Sequence, residues 1–144
     1  NCLSIINDTM YLMCGTTYIN TSGGSDIFLY TIKWKAKKSS YYIETTQKFG
    51  NSYNDKAKSM ILNGETVSVL GTFSTASNAT VIAIIKTDIN GMAGAKIKHI
   101  GGYSQMEGQS LNISEDGGYI ISGTNQRGSN SSIVMIKTMP DGNL

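Results

Sequence analysis

Thr80-Val81-Ile82-Ala83-Ile84-Ile85-Lys86 decides how this chain folds. Its apolar core of five residues is rich in β-branched side chains and too short for a stable helix, so it reads as a strand. A strand with one wet face alternates apolar and polar residues. This one does not, and both of its faces must therefore be covered. Ile133-Val134-Met135-Ile136-Lys137 repeats the pattern nearer the end of the chain, and Ile27 to Lys33 gives an earlier, looser copy.

Working outward, each of these segments lies inside a repeat. A Gly-Thr pair precedes each one, at Gly15-Thr16, Gly71-Thr72 and Gly123-Thr124, and a Lys closes each one, at Lys33, Lys86 and Lys137. Phe49-Gly50-Asn51-Ser52 corresponds to Gly101-Gly102-Tyr103-Ser104, and Ser4, Ser59 and Ser110 form a further set of anchors. The period is near 52 residues and divides the chain into repeats at 1–50, 51–102 and 103–144. Within each repeat the pattern predicts short strands a to d. Strand a covers Cys2 to Ile6, Ala57 to Leu62 and Gly108 to Ile113; strand b covers Met10 to Thr16, Thr66 to Thr72 and Tyr119 to Thr124. Strand c covers Ile27 to Lys33, Thr80 to Lys86 and Ile133 to Lys137. Strand d is expected only at Tyr41 to Lys48 and Ala95 to Ile100, giving eleven strands in all. Asn63-Gly64, Asn90-Gly91, Asp116-Gly117-Gly118 and Asp141-Gly142 supply hairpin turns between them.

Small residues at the start of strand a, Ala57 and Gly108, let several such strands crowd together. Lys96, Lys98 and His99 in one d strand, and Glu44, Gln47 and Lys48 in the other, suit a solvated edge blunted by charge. A tight inner strand, covered middle strands and a charged outer strand describe a propeller blade stacked on its neighbours. Glu115-Asp116-Gly117-Gly118-Tyr119-Ile120-Ile121-Ser122-Gly123-Thr124, with Ile136-Lys137-Thr138 and Pro140-Asp141-Gly142-Asn143 after it, resembles the Asp-Gly-Gly-Tyr type β-propeller repeat of secreted and surface proteins. The resemblance implies an all-β chain of three four-stranded antiparallel blades, the last incomplete, and implies no single activity. Because closed propellers use about four to eight blades, further blades of the same chain, or other subunits of an assembly, are the expected partners. The alternative architecture is a β-trefoil, which also holds three four-stranded repeats.

Ser, Thr, Asn and Gly make up 59 of the 144 residues against seven Ala and one Pro, which favours strands and turns over helices. A net charge of +2 on 22 charged side chains gives no basis for nucleic-acid binding. No apolar run reaches the roughly 18 residues of a membrane span. The chain starts at Asn1 without a leader, which predicts a processed form or a piece of something longer.

With a turn at Asn7-Asp8-Thr9, positions whose numbers sum to 16 face each other, opposing Ile6 to Met10, Ser4 to Leu12 and Cys2 to Cys14. A Cys2–Cys14 disulfide is expected on that geometry, with two free thiols as the alternative. Asn-X-Ser/Thr sequons begin at Asn7, Asn20, Asn78, Asn112 and Asn130. Asn20, Asn78 and Asn130 fall between strands b and c and Asn7 in a turn, so these four are the glycosylation candidates, whereas Asn112 falls within a strand.

Two Cys and one His do not fill a metal site, and neither a metal nor a cofactor is expected. His99, the single histidine, sits on an outer strand, and no catalytic residues are assigned. Lys33-Trp34-Lys35-Ala36-Lys37-Lys38 joins charge to a stacking face in a hairpin turn; with Tyr103 it supplies the binding candidates Trp34, Lys35 and Tyr103. Tyr41, Tyr42 and Tyr53 read as packing residues. The expected function is a non-catalytic extracellular or cell-surface structural and interaction module of a larger glycoprotein assembly. A carbohydrate-binding module with a glycan ligand, or part of a propeller hydrolase or lyase, are the alternatives.

Overall fold

The computed structural model describes residues 1–18, 24–76, 79–90, 94–101 and 105–144. Eleven strands follow one another among these residues, joined by turns and a single 3-10 turn at Ala36–Lys38. Unit 1 holds β1 (Cys2–Asn7), β2 (Met10–Tyr18), β3 (Ser25–Lys35) and β4 (Ser40–Phe49). Unit 2 holds β5 (Lys56–Asn63), β6 (Thr66–Ser74), β7 (Thr80–Asp88) and β8 (Lys96–Ile100). Unit 3 holds β9 (Gln105–Ile113), β10 (Tyr119–Arg127) and β11 (Asn130–Lys137). In each unit every strand pairs antiparallel with the next, as the turn chemistry requires.

Units 2 and 3 join through one parallel bridge, Thr80 to Gln105, and the Thr80 hydroxyl donates to the Met106 carbonyl at 2.7 Å. Strand order runs β1-β2-β3-β4 across the first sheet, and β11-β10-β9-β7-β6-β5 across the second, with β8 branching off β7. The sealed barrel of a trefoil is not formed, because, apart from that single bridge, each unit pairs within itself rather than around a common cylinder.

Period-2 side-chain alternation explains how the units meet. Val67, Val69, Ala83 and Ile85 of unit 2 share one core with Leu12, Cys14, Ile27, Leu29 and Phe49 of unit 1. Leu70, Ile82, Ile84 and Ile100, pointing the other way, share a second core with Leu111, Tyr119 and Ile121 of unit 3. The unbroken apolar run of β7 is thus a strand between two cores. Close approach is set by glycines: a Cβ on Gly71 would lie 2.6 Å from Ile27 Cδ1, and one on Gly108 would lie 2.9 Å from Leu70 Cδ2.

Several details depart from the sequence expectations. A bulge in β1 pairs Asn7, not Ile6, with Met10, because the two-residue turn at 8–9 is shorter than the turn read from sequence. Opposite strand b, Cys2 takes the place that Ser59 and Ser110 take in the other units, each facing the residue before the Gly anchor; Ser4 is not their equivalent. β11 is not covered on both faces: Ile133 and Met135 are exposed. Unit 3 also closes strands b and c with a two-residue turn in which Gly128 takes a positive φ of 59°.

Candidate functional site

Three places on the surface concentrate chemistry. The first is a polar junction between units 1 and 2, where residues 50–55 cross from β4 to β5. Asp55 is fully buried there, and both of its carboxylate oxygens accept from backbone: Asn51 N–H at 2.6 Å and Ser74 N–H at 3.0 Å. Burial pushes its pKa above the ordinary Asp value, those two N–H bonds oppose the rise, and the neighbouring Asp26 carboxylate adds to it. Asp26 is itself nearly buried and ion-paired to Lys48 at 2.8 Å.

Around them Ser25 N–H donates to Asn54 Oδ1 at 3.1 Å, the Asp55 N–H to Ser25 O at 2.7 Å, and Asn51 Nδ2 to Ser74 O at 2.9 Å. Gly50 is needed at this point, since a Cβ there would lie 2.1 Å from Asp26 Oδ1. The knot leaves a polar cup of about 250 Å³ lined by Gly24, Ser52, Tyr53, Asn54, Ser74 and Thr75. Asp55 serves here as a structural acceptor; with both oxygens engaged by backbone it is poorly placed to take a substrate proton.

The second place is a groove of about 550 Å³ between β8 and the turn after β11. Lys86, Lys96 and Lys98 rim it over Ile84, Ile97 and Tyr119. Lys86 Nζ donates to the Pro140 carbonyl at 3.3 Å and lies 5.9 Å from the Tyr119 ring centroid, and Lys98 donates to Asn143 Oδ1.

The third place is the outward face of unit 1. Trp34 and Tyr41 have ring centroids 4.8 Å apart, Tyr11 meets Tyr41 edge-on at 5.5 Å, and the Tyr41 hydroxyl lies 3.5 Å from that of Tyr11. That hydrogen bond raises the Tyr11 pKa above the ordinary phenol value. Leu3, Tyr11, Ile32 and Tyr41 border a shallow apolar depression.

Of the residues expected from sequence, Trp34 and Lys35 lie in a strand rather than a loop, and strand alternation sends their side chains to opposite faces, Trp34 onto Tyr41 and Lys35 toward Tyr42. They end β3, opposite Tyr41 and Ser40, and the turn itself is Ala36–Lys38. Lys35 lies 5.8 Å from the Tyr42 ring centroid. Tyr103, Asn20 and Asn78 lie outside the described residues. Asn7 is exposed at the end of β1, where its Oδ1 accepts from both the N–H and the hydroxyl of Thr9, each at 3.0 Å. Asn130 is exposed as well, but it is the first residue of β11, opposite Arg127, because the expected b–c loop has become strand. Asn112 lies within β9 as read from sequence.

Cys2 and Cys14 stand opposite each other in the ladder, as the hairpin register predicts. The disulfide expected from that register is not formed, and both thiols are free. Cys2 Sγ donates instead to the Lys58 carbonyl of β5 at 3.4 Å, tying it to unit 2. Cys14 is buried, which, with the adjacent Cys2, pushes its thiol pKa up to about 12.

His99 is exposed on β8 with its ring 5.4 Å from that of Phe73. Among the same residues no group of three or more His, Cys, Asp or Glu side chains is placed to hold a metal ion. No helix among them is long and apolar enough to cross a membrane.

The junction around Asp55 was not anticipated from sequence. Its partners are backbone N–H groups, which residue types do not reveal, and Asp26 and Asp55 lie on either side of β4 in the sequence with nothing to mark them as neighbours. Compared with known proteins, the chain matches no family model and no curated protein significantly.

Proposed function

We propose that this chain is a run of β-propeller blades that serves as a non-catalytic structural and interaction module within a larger extracellular assembly. One observation carries the reading: β7 sends Ala83 and Ile85 into the core shared with unit 1 and Ile82 and Ile84 into the core shared with unit 3. That is how a blade inside a stack is buried, by a neighbour on each face. Rigid stacking holds the turns at each end in fixed relative positions, so loop and face contacts can supply binding energy with little ordering cost. The exposed sequon residues Asn7 and Asn130, and the predominance of Ser, Thr, Asn and Gly, favour a secreted location.

Two measurements test the reading. Ile84→Asp places a charge in the second core and is expected to unfold the chain; a folded, equally stable variant removes the stacked-blade account. Intact-mass analysis of native material is expected to show glycan additions that vanish on Asn7→Gln or Asn130→Gln, and unmodified protein confined to the cytosol defeats the extracellular part.

The exposed Trp34–Tyr41–Tyr11 cluster favours a second reading, a sugar-binding face using aromatic stacking. Glycan-array binding that is lost in Trp34→Ala supports it, and silence across the array removes it.

A further inference from the structure

The two ends of the stack expose positions that the interior of the stack buries. Counting back from the Lys that closes strand c, Ile133 and Met135 hold the places of Ile82 and Ile84 in unit 2. Ile82 and Ile84 are 0% and 1% exposed against unit 3, whereas Ile133 and Met135 are 88% and 81% exposed on the forward face of unit 3. On the rear face of unit 1, Leu3 and Met13 pair with each other as Met60 does with Val69 and Leu111 with Ile121. Leu3 is 65% exposed there, against 9% for Met60 and 3% for Leu111.

The match between these ends goes beyond shared apolarity. Lys86 on the forward side of unit 2 lies over the Tyr119 ring on the rear side of unit 3. Lys137 is the unit 3 equivalent of Lys86, and Tyr11, four residues before its Gly anchor, is the unit 1 equivalent of Tyr119. The free forward end therefore offers the cation, and the free rear end the ring, of a contact already made inside the chain. Lys137 is also ion-paired to Asp116, so the charge beside the forward patch already has a partner.

Resting on the stacked-blade reading, we propose that the forward face of unit 3 and the rear face of unit 1 are two halves of one interface. A second copy of this chain fills it, head to tail. This contact would continue, at equivalent positions, those joining units 1 to 2 and 2 to 3. Every copy carries both halves, so the contact is heterologous and either closes into a ring or propagates. Two copies of these 144 residues bring six blades, within the range of about four to eight that close, so a dimer is the assembly expected of the 144-residue chain.

The test is light scattering on the eluting 144-residue chain, with Met135→Asp blocking the forward face and Leu3→Asp blocking the rear. Both side chains are exposed in the single chain, and circular dichroism checks that each variant stays folded. The wild type is expected at twice its 15.5 kDa mass, and each variant alone as a monomer, with association weakened at least about thirtyfold. An equimolar mixture of the two variants keeps one intact interface and is expected to recover a heterodimer.

A folded wild type that stays monomeric up to about 1 mM overturns the proposal. So does dimerisation that survives Met135→Asp or Leu3→Asp, which identifies a like-with-like contact. In either case the stacked-blade reading stands or falls separately, on Ile84→Asp at the buried equivalent of Met135.

Discussion

Replacing Gly108 with Ala adds one methyl group where units 2 and 3 are closest. Ordinarily such a change in an extended segment stabilises by about 0.4–1 kcal/mol, because the unfolded chain loses freedom. Here the new Cβ would lie 2.9 Å from Leu70 Cδ2 and 3.0 Å from Leu70 Cγ, so the whole isobutyl group must move, not just its tip. Leu70 is fully buried in the second core, so it can move only against packed neighbours. Overpacking of this kind costs about 1–3 kcal/mol, which leaves a net loss of about 1–2 kcal/mol once the chain-entropy gain is set against it. For a chain of this size that lowers the melting temperature by about 2–8 °C. The assay is paired urea and thermal denaturation of Gly108→Ala and Gly94→Ala. Gly94 has open space around its Cβ position and a φ outside the left-handed range, so it reports the entropy gain alone. Leu70→Val in the Gly108→Ala background should recover part of the loss, as a double-mutant cycle measures. If Gly108→Ala is as stable as Gly94→Ala, units 2 and 3 do not pack as described.

Other expectations follow from single groups. Asp55→Ala leaves two backbone N–H groups without an acceptor and should cost about 1–3 kcal/mol in urea denaturation at neutral pH. Because the folded state raises the Asp55 pKa, it binds the proton more tightly than the unfolded chain does, so this group adds stability as pH falls from neutral toward the ordinary carboxylate range. The wild-type minus Asp55→Ala difference curve should rise in that direction. Asp116 behaves oppositely: the hydrogen bond from Lys137, then those from Ser114 and Gly118, hold its carboxyl well below the usual range. Its contribution is present above the unfolded carboxylate pKa and is lost as pH falls below it, which an Asp116→Ala difference curve checks. Cys14 should resist thiol reagents at pH 8 in the folded protein and react fully in denaturant, as quantitative labelling will show.

Much of the fold was legible because it rests on local pattern. Turn residues and apolar runs located all eleven strands, and hairpin register placed Cys2 opposite Cys14. What escaped depends on partners that sequence does not display. Ile133 and Met135 look as buried as Ile82 and Ile84, since an apolar run says that a face should be covered without saying by what. Ser4 faces Leu12, whereas Ser59 faces Leu70, the residue before the Gly anchor; matching serines by position in the sequence misses such offsets because both β1 and β5 carry a bulge. Asp55 passed for an ordinary turn aspartate, since its role is defined by the Ser74 and Asn51 main chain. Thiol chemistry was half legible: register predicted the facing cysteines, but not that Cys2 turns to the Lys58 carbonyl.

The central claim is that three pleated units lie face to face with unit 2 enclosed. Methyl-labelled NMR tests it most directly, through cross-peaks from the Ile27 δ-methyl to the Gly71 α-protons and from the Leu70 δ-methyls to the Gly108 α-protons. Both cross-peaks are predicted, one for each junction. A spectrum of a folded, fully assigned chain in which both are missing contradicts the stack.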